Sequence, residues 1–414
     1  MEMVKTGYKQ TEIGLIPEDW EAVMVRDVVT INGRIGFRGY TIKDIVKEGY
    51  GAISLSPSNI KDGKINYKNC TYISWFKYEE SPEIKIQNGD VILVKTGSTF
   101  GKSALVKNLV EKATLNPQVV VFKSMKINNQ LFSYLVYAND FQNQIISAVV
   151  GGAIPTLSQE QIYNFQIPLP PLPEQQAIAE ALSDADAWIE SLEQLIAKKR
   201  LLKQGAMQEL LSPKKDWEVR KLGDIILSNQ LGGNYANSDS YNEYPLIKMG
   251  NIQRGSISLK KIEYISGTIP SKKDLLHFND FLFNTRNTID LVGKVSIWRN
   301  ELPKAYFNSN LMRITFKPEF ISSNVFMNAV FNSKYQIQKL KDIATGTTSV
   351  AAIYTRDLLG LEIYIPNKKE QTRIGTILSD MDLELEALMQ QLEKARQIKQ
   401  GMMQELLTGR IRLI

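Results

Sequence analysis

A short glycine-rich segment resembles a phosphate-binding P-loop. Residues 97–103 read Gly-Ser-Thr-Phe-Gly-Lys-Ser and follow a predicted strand. A P-loop needs four residues between its glycines so that backbone amides can wrap a phosphate. Here three residues separate Gly97 from Gly101, and Thr96 stands where the motif requires glycine. ATP binding is therefore disfavoured, which leaves a basic loop that approaches a nucleic-acid phosphate, or a plain hairpin turn.

Residue types that usually perform catalysis are scarce. The chain has one histidine, His277, and one cysteine, Cys70. Zinc hydrolase sites and Ser-His-Asp triads need more than this. A single cysteine forms no intramolecular disulfide, which suits a reducing cytoplasm. No glycine-rich methyl-donor loop or Asn/Asp-Pro-Pro-Tyr motif is present, and residues 116–118 (Asn-Pro-Gln) are interpreted as a turn. We expect no catalytic residue, no metal and no cofactor.

Length and charge set broad limits. The 414 residues exceed one core and fit two modules of about 150 residues each. The net charge of +6 permits an anionic partner without requiring one. No apolar run reaches the length of about 18 residues that a membrane span needs. The first 17 residues lack the apolar stretch of a signal peptide. We therefore expect a cytoplasmic protein.

The chain contains a long internal repeat. Residues 204–211 (Gln-Gly-Ala-Met-Gln-Glu-Leu-Leu) return as residues 400–407 (Gln-Gly-Met-Met-Gln-Glu-Leu-Leu), 196 positions later. Glu174-Gln175 recurs as Glu370-Gln371 at the same offset, and Asp19-Trp20-Glu21 matches Asp216-Trp217-Glu218. A repeat of this length exceeds a solenoid unit. It indicates a duplicated module with pseudo-two-fold symmetry.

Each copy ends in a predicted long helix. From Glu174 onward, apolar residues occur at 178, 182, 185, 189, 192 and 196, and the second copy repeats the pattern from Ile374 to Ala395. This spacing is typical of a coiled coil, and the duplication makes the pair antiparallel. The alternative is that each helix packs only on its own module. Gly205 and Gly401 interrupt both helices, either as tolerated weak points or to admit another chain closely.

The globular parts read as mixed α/β modules with matching strands and differing loops. Predicted strands at 90–95 and 119–123 match those at 280–283 and 312–317, and helical patterns near 131–149 match 324–341. The P-loop-like segment keeps only Gly293-Lys294 in the second copy. Loops at 33–40 and 56–59 have no similar counterparts at 231–235 and 248–251. The pattern predicts two different reading surfaces on one framework.

Three segments, in this order, resemble the specificity subunit of Type I restriction–modification systems over essentially the full length. They are residues 14–21 (Gly-Leu-Ile-Pro-Glu-Asp-Trp-Glu), residues 168–176 (Pro-Leu-Pro-Pro-Leu-Pro-Glu-Gln-Gln) and residues 401–410 (Gly-Met-Met-Gln-Glu-Leu-Leu-Thr-Gly-Arg). The resemblance implies an α+β fold: two α/β target-recognition domains joined by two long antiparallel coiled-coil helices. The expected boundaries are 1–170 and 213–366 for the recognition domains, and 171–212 and 367–414 for the helical regions.

The resemblance also implies function and partners. Each recognition domain reads one half of a bipartite site in double-stranded DNA, and the helical pair sets the unread spacer. The subunit docks two methyltransferase subunits, and restriction subunits join the full complex. Adenine-N6 methylation, ATP use and cleavage belong to those partners. A P-loop-type NTPase or nuclease dimerised by the coiled coil is the alternative, and a structural adaptor ranks lower.

Candidate DNA contacts follow from side-chain chemistry. Arginine and asparagine can pair bidentately with guanine and adenine edges, whereas lysine more often binds phosphate. In the first module the candidates are Arg34, Arg38, Lys95, Ser98 and Lys102. In the second they are Lys248, Asn251, Arg254, Arg286, Asn287 and Lys294.

Overall fold

The computed structural model describes residues 6–149, 156–347 and 349–413. The chain divides into two compact units: one of Met1–Leu192 with Gln391–Ile414, and one of Glu193–Gln390. Each unit therefore contains part of both long helices. No helix within the described ranges is long and apolar enough to cross a membrane.

The first unit is built from short strands and helices ahead of one long helix. Its strands are β1 (Tyr8–Thr11), β2 (Gly14–Pro17), β3 (Glu21–Met24), β4 (Thr30–Gly33), β5 (Ile45–Val46), β6 (Gly51–Leu55), β7 (Ile60–Lys61), β8 (Lys64–Ile65), β9 (Thr71–Ser74), β10 (Val91–Val94), β11 (Ser103–Leu105), β12 (Ala113–Leu115), β13 (Val119–Lys123) and β14 (Gln166–Leu169). Its helices are α1 (Val25–Val28), α2 (Trp75–Glu79), α3 (Asn129–Tyr137), α4 (Asn139–Ala148) and α5 (Gln159–Tyr163), followed by the long α6 (Leu172–Leu210), which continues into the second unit.

The second unit has the corresponding elements. Its strands are β15 (Glu218–Lys221), β16 (Ile226–Leu231), β17 (Asn237–Ser238), β18 (Pro245–Ile247), β19 (Glu263–Ile265), β20 (Phe281–Asn284), β21 (Arg286–Asn287), β22 (Val295–Ile297), β23 (Tyr306–Phe307), β24 (Leu311–Phe316), β25 (Thr345–Gly346), β26 (Ala351–Ala352) and β27 (Glu362–Ile365). Its helices are α7 (Leu222–Ile225), α8 (Asn324–Phe331), α9 (Lys334–Asp342) and α10 (Thr355–Leu359), followed by α11 (Lys368–Leu406), whose last part lies in the first unit.

The two units share one sheet topology. The main sheet has the order β4-β13-β10-β11 in the first unit and β16-β24-β20-β22 in the second. A second sheet has the order β12-β6-β9-β5 or β23-β18-β19-β17, and its β6–β12 and β18–β23 pairs are parallel. The predicted matching strands are confirmed, and the duplication extends from sequence to strand order.

The main sheet lies between two apolar clusters in each unit. In β10, Val91 and Leu93 face one cluster, whereas Ile92 and Val94 face the other. In β20, Phe281 and Phe283 face one side and Leu282 the other. Side chains alternate along a strand, so these continuous apolar runs are buried on both faces. A shift of the strand register by one residue would move every side chain into the opposite cluster.

The helical patterns are confirmed with a break in each. A turn at Ala138 separates α3 from α4, and residues 332–333 separate α8 from α9. Both helical patterns carry aromatic residues, and aromatics at helical spacing are expected in the core; Phe132, Phe141 and Phe326 are at most 2% exposed. Tyr137, in contrast, is 46% exposed because it ends α3 on the solvent side. Tyr335, at the start of α9, is also exposed, at 52%, so the aromatic pattern identified the core face but included two surface residues.

A buried glutamine fixes the start of each long helix. Gln175 Nε2 donates to the Pro170 carbonyl at 2.8 Å, and Gln371 Nε2 donates to the Pro366 carbonyl at 3.0 Å. The Oε1 atoms accept backbone N–H groups from Asn128 at 2.9 Å and from Ser322 at 3.0 Å. Each glutamine thus links its helix to the domain in front of it. The recurring Glu-Gln pair in the sequence has this structural basis.

Segments of the two long helices run antiparallel within each unit. In the second unit, Lys199 pairs with Glu384 at 2.5 Å, and Lys203 pairs with Asp382. The α11 position falls as the α6 position rises, so the directions are opposite. In the first unit Lys399 pairs with Asp186 at 2.6 Å. This pair is the 196-residue counterpart of Lys203–Asp382 with the roles of the two helices exchanged, as expected for a duplicated module.

The apolar stripe of each long helix contacts both the domain core and the opposite helix. Every predicted position from Ile178 to Ile196 is buried. The first turns of each helix join the domain core: Ile178 and Leu182 belong to one cluster, and Ile374 and Leu378 to another. The first cluster also contains Leu406 and Leu407 from the end of α11. The two interpretations of the stripe are therefore combined, because the helix starts pack on the domains and also on the end of the opposite helix.

Candidate nucleic-acid interface

The loops of the first unit meet at one edge of its main sheet. Lys95, directly after β10, donates its N–H to the Gln118 carbonyl at 2.8 Å, and its own carbonyl accepts the Leu157 N–H at 2.8 Å. Asn116 donates its N–H to the Leu55 carbonyl at 2.8 Å. These bonds connect loops that follow β6 and β10 and precede β13. We call residues 34–40, 56–59, 95–102 and 116–118 the first rim.

The second unit repeats these bonds with different side chains. Thr285 donates its N–H to the Asn310 carbonyl at 3.0 Å, and its carbonyl accepts the Ile353 N–H at 3.0 Å. Asn308 donates its N–H to the Ile247 carbonyl at 3.1 Å. We call residues 232–235, 248–251, 285–294, 308–310, 345–347 and 349–352 the second rim. Backbone groups therefore hold both rims in equivalent positions.

The P-loop-like segment is a β-hairpin turn. It joins β10 to β11, which pair antiparallel from Val91↔Leu105 to Leu93↔Ser103. Gly101 has φ +84° and its N–H donates to the Val94 carbonyl; Gly293, at φ +75°, donates likewise to the Asn284 carbonyl. A strand follows Lys102, so there is no helix N-terminus to face a phosphate. The hairpin interpretation is confirmed, and the P-loop alternative loses its structural basis.

Arg34 is a structural residue of the first rim. It is 5% exposed, and its Nε donates to the Leu115 carbonyl at 3.0 Å. Its Nη2 donates to Thr114 Oγ1 at 3.1 Å, and its guanidinium lies 5.5 Å from the centre of the Tyr40 ring. Burial lowers the pKa of Arg34, although Tyr40 and nearby carboxylates oppose this. Because these bonds occupy the guanidinium, Arg34 has no free pair of N–H groups to contact a base.

Asn251 is also a framework residue, because the first unit contains its counterpart. Asn251 Oδ1 accepts the Lys248 N–H at 2.9 Å, and its Nδ2 donates to the Ser258 carbonyl at 3.0 Å. Asn59 makes the same bonds with Ser56 N–H at 3.0 Å and with the Asn66 carbonyl at 3.2 Å. Both asparagines are 5% exposed. Their shared role is to close a turn.

The remaining candidate DNA contacts differ in exposure and in the partners that their side chains already have. Lys248 is bound to Glu263 at 2.7 Å, and Arg38 lies 3.6 Å from Glu83. Arg254 is half-buried and donates to the Asp290 carbonyl at 3.2 Å. Lys294 is 7% exposed and donates to the Ile252 carbonyl at 3.2 Å. Lys95 and Asn287 are half-buried, while the exposed members are Ser98, Lys102 and Arg286.

Arg286 and Asn287 lie in a small sheet that the sequence did not predict. They form β21, which pairs with β26, and β26 pairs with β25. Thr345, Gly346 and Thr347 are exposed on this hairpin. The sequence feature that could have indicated a turn in this region is the polar Gly-Thr-Thr-Ser run at 346–349. These backbone and hydroxyl groups extend the polar surface beside Arg286.

No group of three or more His, Cys, Asp or Glu side chains is placed to hold a metal ion within residues 6–149, 156–347 and 349–413. The rims instead present arginine, lysine, asparagine and hydroxyl groups. Such side chains bind phosphate oxygens and base edges.

A family model for the Type I restriction modification DNA specificity domain matches the chain twice, over residues 17–199 and 214–397. The chain belongs to this family. The two matched stretches coincide with the duplicated module, so the protein is a DNA-binding specificity subunit with two target-recognition domains, here the first and second recognition domains. The resemblance seen in the sequence is confirmed.

Curated specificity subunits match over nearly the whole chain. The MjaVIII specificity subunit of Methanocaldococcus jannaschii is 29% identical over 423 residues, covering 96% of this chain and 94% of its own length. The EcoKI specificity subunit of Escherichia coli K12 is 21% identical, with 87% and 82% covered. These relatives therefore span both recognition domains and both long helices.

Solved structures share the fold. The S subunit of a Type I restriction–modification system from M. genitalium aligns with a TM-score of 0.56 at 14% identity, covering 94% of this chain and 96% of that chain. A chain from a structure of the type I R-M system aligns with a TM-score of 0.57 at 16% identity, covering 96% and 99%. At this identity the alignment supports the expected α+β specificity-subunit fold.

Proposed function

We propose that each recognition domain reads one half of a bipartite DNA site through its rim, and that the two long helices set the unread spacer. The observation that carries this proposal is the rim itself. Equivalent backbone bonds hold loops of unrelated sequence at the same place in both units. Such an arrangement lets two different sequences be read by one duplicated framework.

The helices also dock two methyltransferase subunits, and restriction subunits join the full complex. Adenine-N6 methylation and ATP-dependent cleavage belong to these partners, and the specificity subunit provides no catalytic group. Gly205 and Gly401 support a docking role, since both are exposed and a Cβ atom at either position would meet nothing within 4 Å. Among the residues that the structure describes, no packing requires glycine at these two positions. Close approach by a partner backbone explains the two glycines better than a chance weakness in both copies.

For base reading, Arg286 and Asn287 are the strongest pair. Arg286 is exposed, and no ion pair involves it among the residues that the structure describes. A good bidentate contact contributes about 1–3 kcal/mol of discrimination against a wrong base. Arg34 and Asn251 are left out of the proposed reading set, because framework bonds occupy them.

The test uses the full chain assembled with its methyltransferase subunits. Methylome sequencing defines the two half-sites, and binding is then measured on duplexes with either half-site altered. Joint substitution Arg286→Ala and Asn287→Ala is expected to relax preference at one half-site only. Arg356→Ala, an exposed arginine on α10, is the matched control and leaves both preferences intact. Equal affinity of the parent complex for all duplexes at moderate salt would contradict sequence-specific reading, because phosphate contacts alone are sequence-blind.

A further inference from the structure

Two cations, the buried Lys294 and the half-buried Arg254, lie beside the hairpin turn of the second rim. Lys294 Nζ donates to the Ile252 carbonyl at 3.2 Å. Arg254, two residues after Ile252, donates through Nη2 to the Asp290 carbonyl at 3.2 Å. In the described part of the chain, neither forms an ion pair with a carboxylate. Burial lowers the pKa of Lys294, and the nearby Arg254 charge adds to this effect. Both cations therefore donate to backbone carbonyls, while the nearby Asp290 carboxylate, which binds Lys341 at 2.6 Å, raises the pKa of Arg254 against the effect of burial.

Unused hydrogen-bond donors accompany these cations. Arg254 Nη1 and Asn284 Nδ2 are buried and have no partner among the described residues. Asn284 is 0% exposed, and its Oδ1 accepts the Arg286 N–H at 3.2 Å, which identifies Nδ2 as the unpaired end. A buried donor without a partner costs about 1–3 kcal/mol. The free protein thus carries a cost that a hydrogen-bond acceptor would remove.

The strand geometry places Asn284 and Lys294 on the same side of the sheet. Asn284 donates its N–H to the Lys294 carbonyl at 2.9 Å, directly after the Phe283↔Val295 pair. Phe283 and Val295 face one core cluster. Side chains alternate along strands, so Asn284 and Lys294 face the opposite side, where Ile252 is buried.

The first recognition domain lacks this arrangement. Val94 occupies the place of Asn284, since it donates its N–H to the Lys102 carbonyl at 2.8 Å. Val94 is fully buried in an apolar cluster, and Lys102 is exposed. The shared framework therefore requires no amide and no buried lysine here. The donor cluster is a property of the second domain alone.

We propose that Arg254, Lys294 and the Asn284 amide bind one phosphate group of the DNA backbone beside the half-site that the second domain reads. A cluster of donors with net positive charge fits a group whose oxygens only accept hydrogen bonds. Arg254 is half-buried and gives the cluster its opening to solvent. This inference rests on the proposed function, and it assigns these residues to positioning the DNA, because phosphate contacts carry no sequence information directly.

The experiment uses the full chain with its methyltransferase subunits and measures affinity against salt concentration. Arg254→Met is expected to reduce the slope of log K against log salt by about 0.9, the contribution of one phosphate contact. The affinity falls by the same factor for duplexes with intact and altered half-sites. Asn284→Val installs the first domain's residue; we expect about tenfold or greater loss of affinity with an unchanged or higher melting temperature. Arg356→Met is the charge-matched control and leaves slope and affinity unchanged.

The outcomes separate the two proposals. If the parent complex shows no site preference, the proposed function fails. If it shows preference and both variants keep the parent slope and affinity, the phosphate site is wrong. Loss confined to one base pair would make these residues base readers and overturn the inference. Stabilisation of the parent, but not of Arg254→Met, by inorganic phosphate together with unchanged DNA binding would assign the site to free phosphate instead. A large fall in the melting temperature of Asn284→Val, which also removes the acceptor of the Arg286 N–H, would overturn the premise that the buried Nδ2 lowers the stability of the free protein.

Discussion

Arg412 joins the end of the chain to its beginning inside the first unit. It binds Glu174 through Nε and Nη2 at 2.7 and 2.8 Å, and Asp19 through Nη1 and Nη2 at 2.9 and 2.7 Å. Glu174 is 0% exposed and also accepts from Trp20 Nε1 at 2.8 Å. In the second unit the counterpart of Glu174 is Glu370, whose side chain is 20% exposed.

Replacing Arg412 with methionine leaves a buried carboxylate without its cation. Breaking a buried ion pair costs about 3–5 kcal/mol of unfolding free energy. The control is Lys214→Met, which removes the partner of Glu370 at 3.1 Å, where the lysine side chain is 50% exposed. Exposed pairs contribute only about 0–1 kcal/mol. The two variants remove one cation each from equivalent glutamates. Glu370 is less buried than Glu174 and also keeps Arg373, whose Nε lies 2.6 Å from Glu370 Oε2, so we expect the smaller cost for Lys214→Met.

The pH dependence gives a sharper test. In the parent protein, burial would raise the pKa of Glu174, but hydrogen bonds from Arg412, Trp20 and the Leu413 N–H outweigh it and leave that pKa lowered. A lowered folded-state pKa stabilises the protein above the unfolded value, near 4.5, and the contribution is lost as pH falls through the folded value. Without Arg412, burial dominates and the pKa rises. The Arg412→Met variant is therefore destabilised most at neutral pH, and the difference in unfolding free energy from the parent becomes smaller in acid.

Urea unfolding from pH 4 to pH 8, followed by tryptophan fluorescence, measures this difference. The stability gap between the parent and Arg412→Met is expected to narrow as pH falls. A gap that is constant across this range would refute the buried-charge reasoning, even if Arg412→Met were destabilised. A Lys214→Met cost as large as that of Arg412→Met would refute the role of burial.

The remaining predictions concern glycines and one tyrosine. Gly101→Ala is expected to cost about 1–2 kcal/mol, because Gly101 has φ +84°; thermal unfolding measures it. Gly205→Ala is expected to raise the free energy of unfolding by about 1 kcal/mol, because the position is helical and open. The same substitution is expected to weaken assembly with the methyltransferase subunits. Unchanged assembly would contradict close approach of a partner backbone at this position. Tyr134→Phe removes the 2.7 Å bond to Asp186 and is expected to cost about 1.5–3 kcal/mol, while Tyr137→Phe, at an exposed position, changes little.

The framework was predictable because its signals are local and duplicated. The continuous apolar run at Val91–Val94 and its counterpart at Phe281–Phe283 predict buried strands in either copy. Ile178 and the positions that follow it predict a helical stripe. No proline or glycine signals the breaks at Ala138 and near residue 332. At the second break, Ser333 Oγ accepts the Gln336 N–H at 3.2 Å and caps α9.

The state of the candidate DNA contacts was less predictable, because it depends on distant partners. Arg34 binds carbonyl and hydroxyl groups that lie 80 and 81 residues away in sequence. Lys102 and Lys294 follow equivalent glycines, yet one is exposed and the other is buried. Nothing in the local sequence distinguishes them. The pairing of β21 with β26 likewise joins segments that are far apart in the chain.

The duplication itself separates framework residues from candidate contacts. A side chain that makes the same bonds in both copies, as Asn59 and Asn251 do, serves the fold that the copies share. A polar side chain that is buried in one copy and replaced by an apolar residue in the other, as Asn284 is by Val94, serves something that only one copy does. If the two halves bind different sequences, as proposed, such asymmetric polar groups are where a ligand contact should be sought. Comparing equivalent positions in the two recognition domains therefore separates residues that the shared fold needs from candidate ligand contacts.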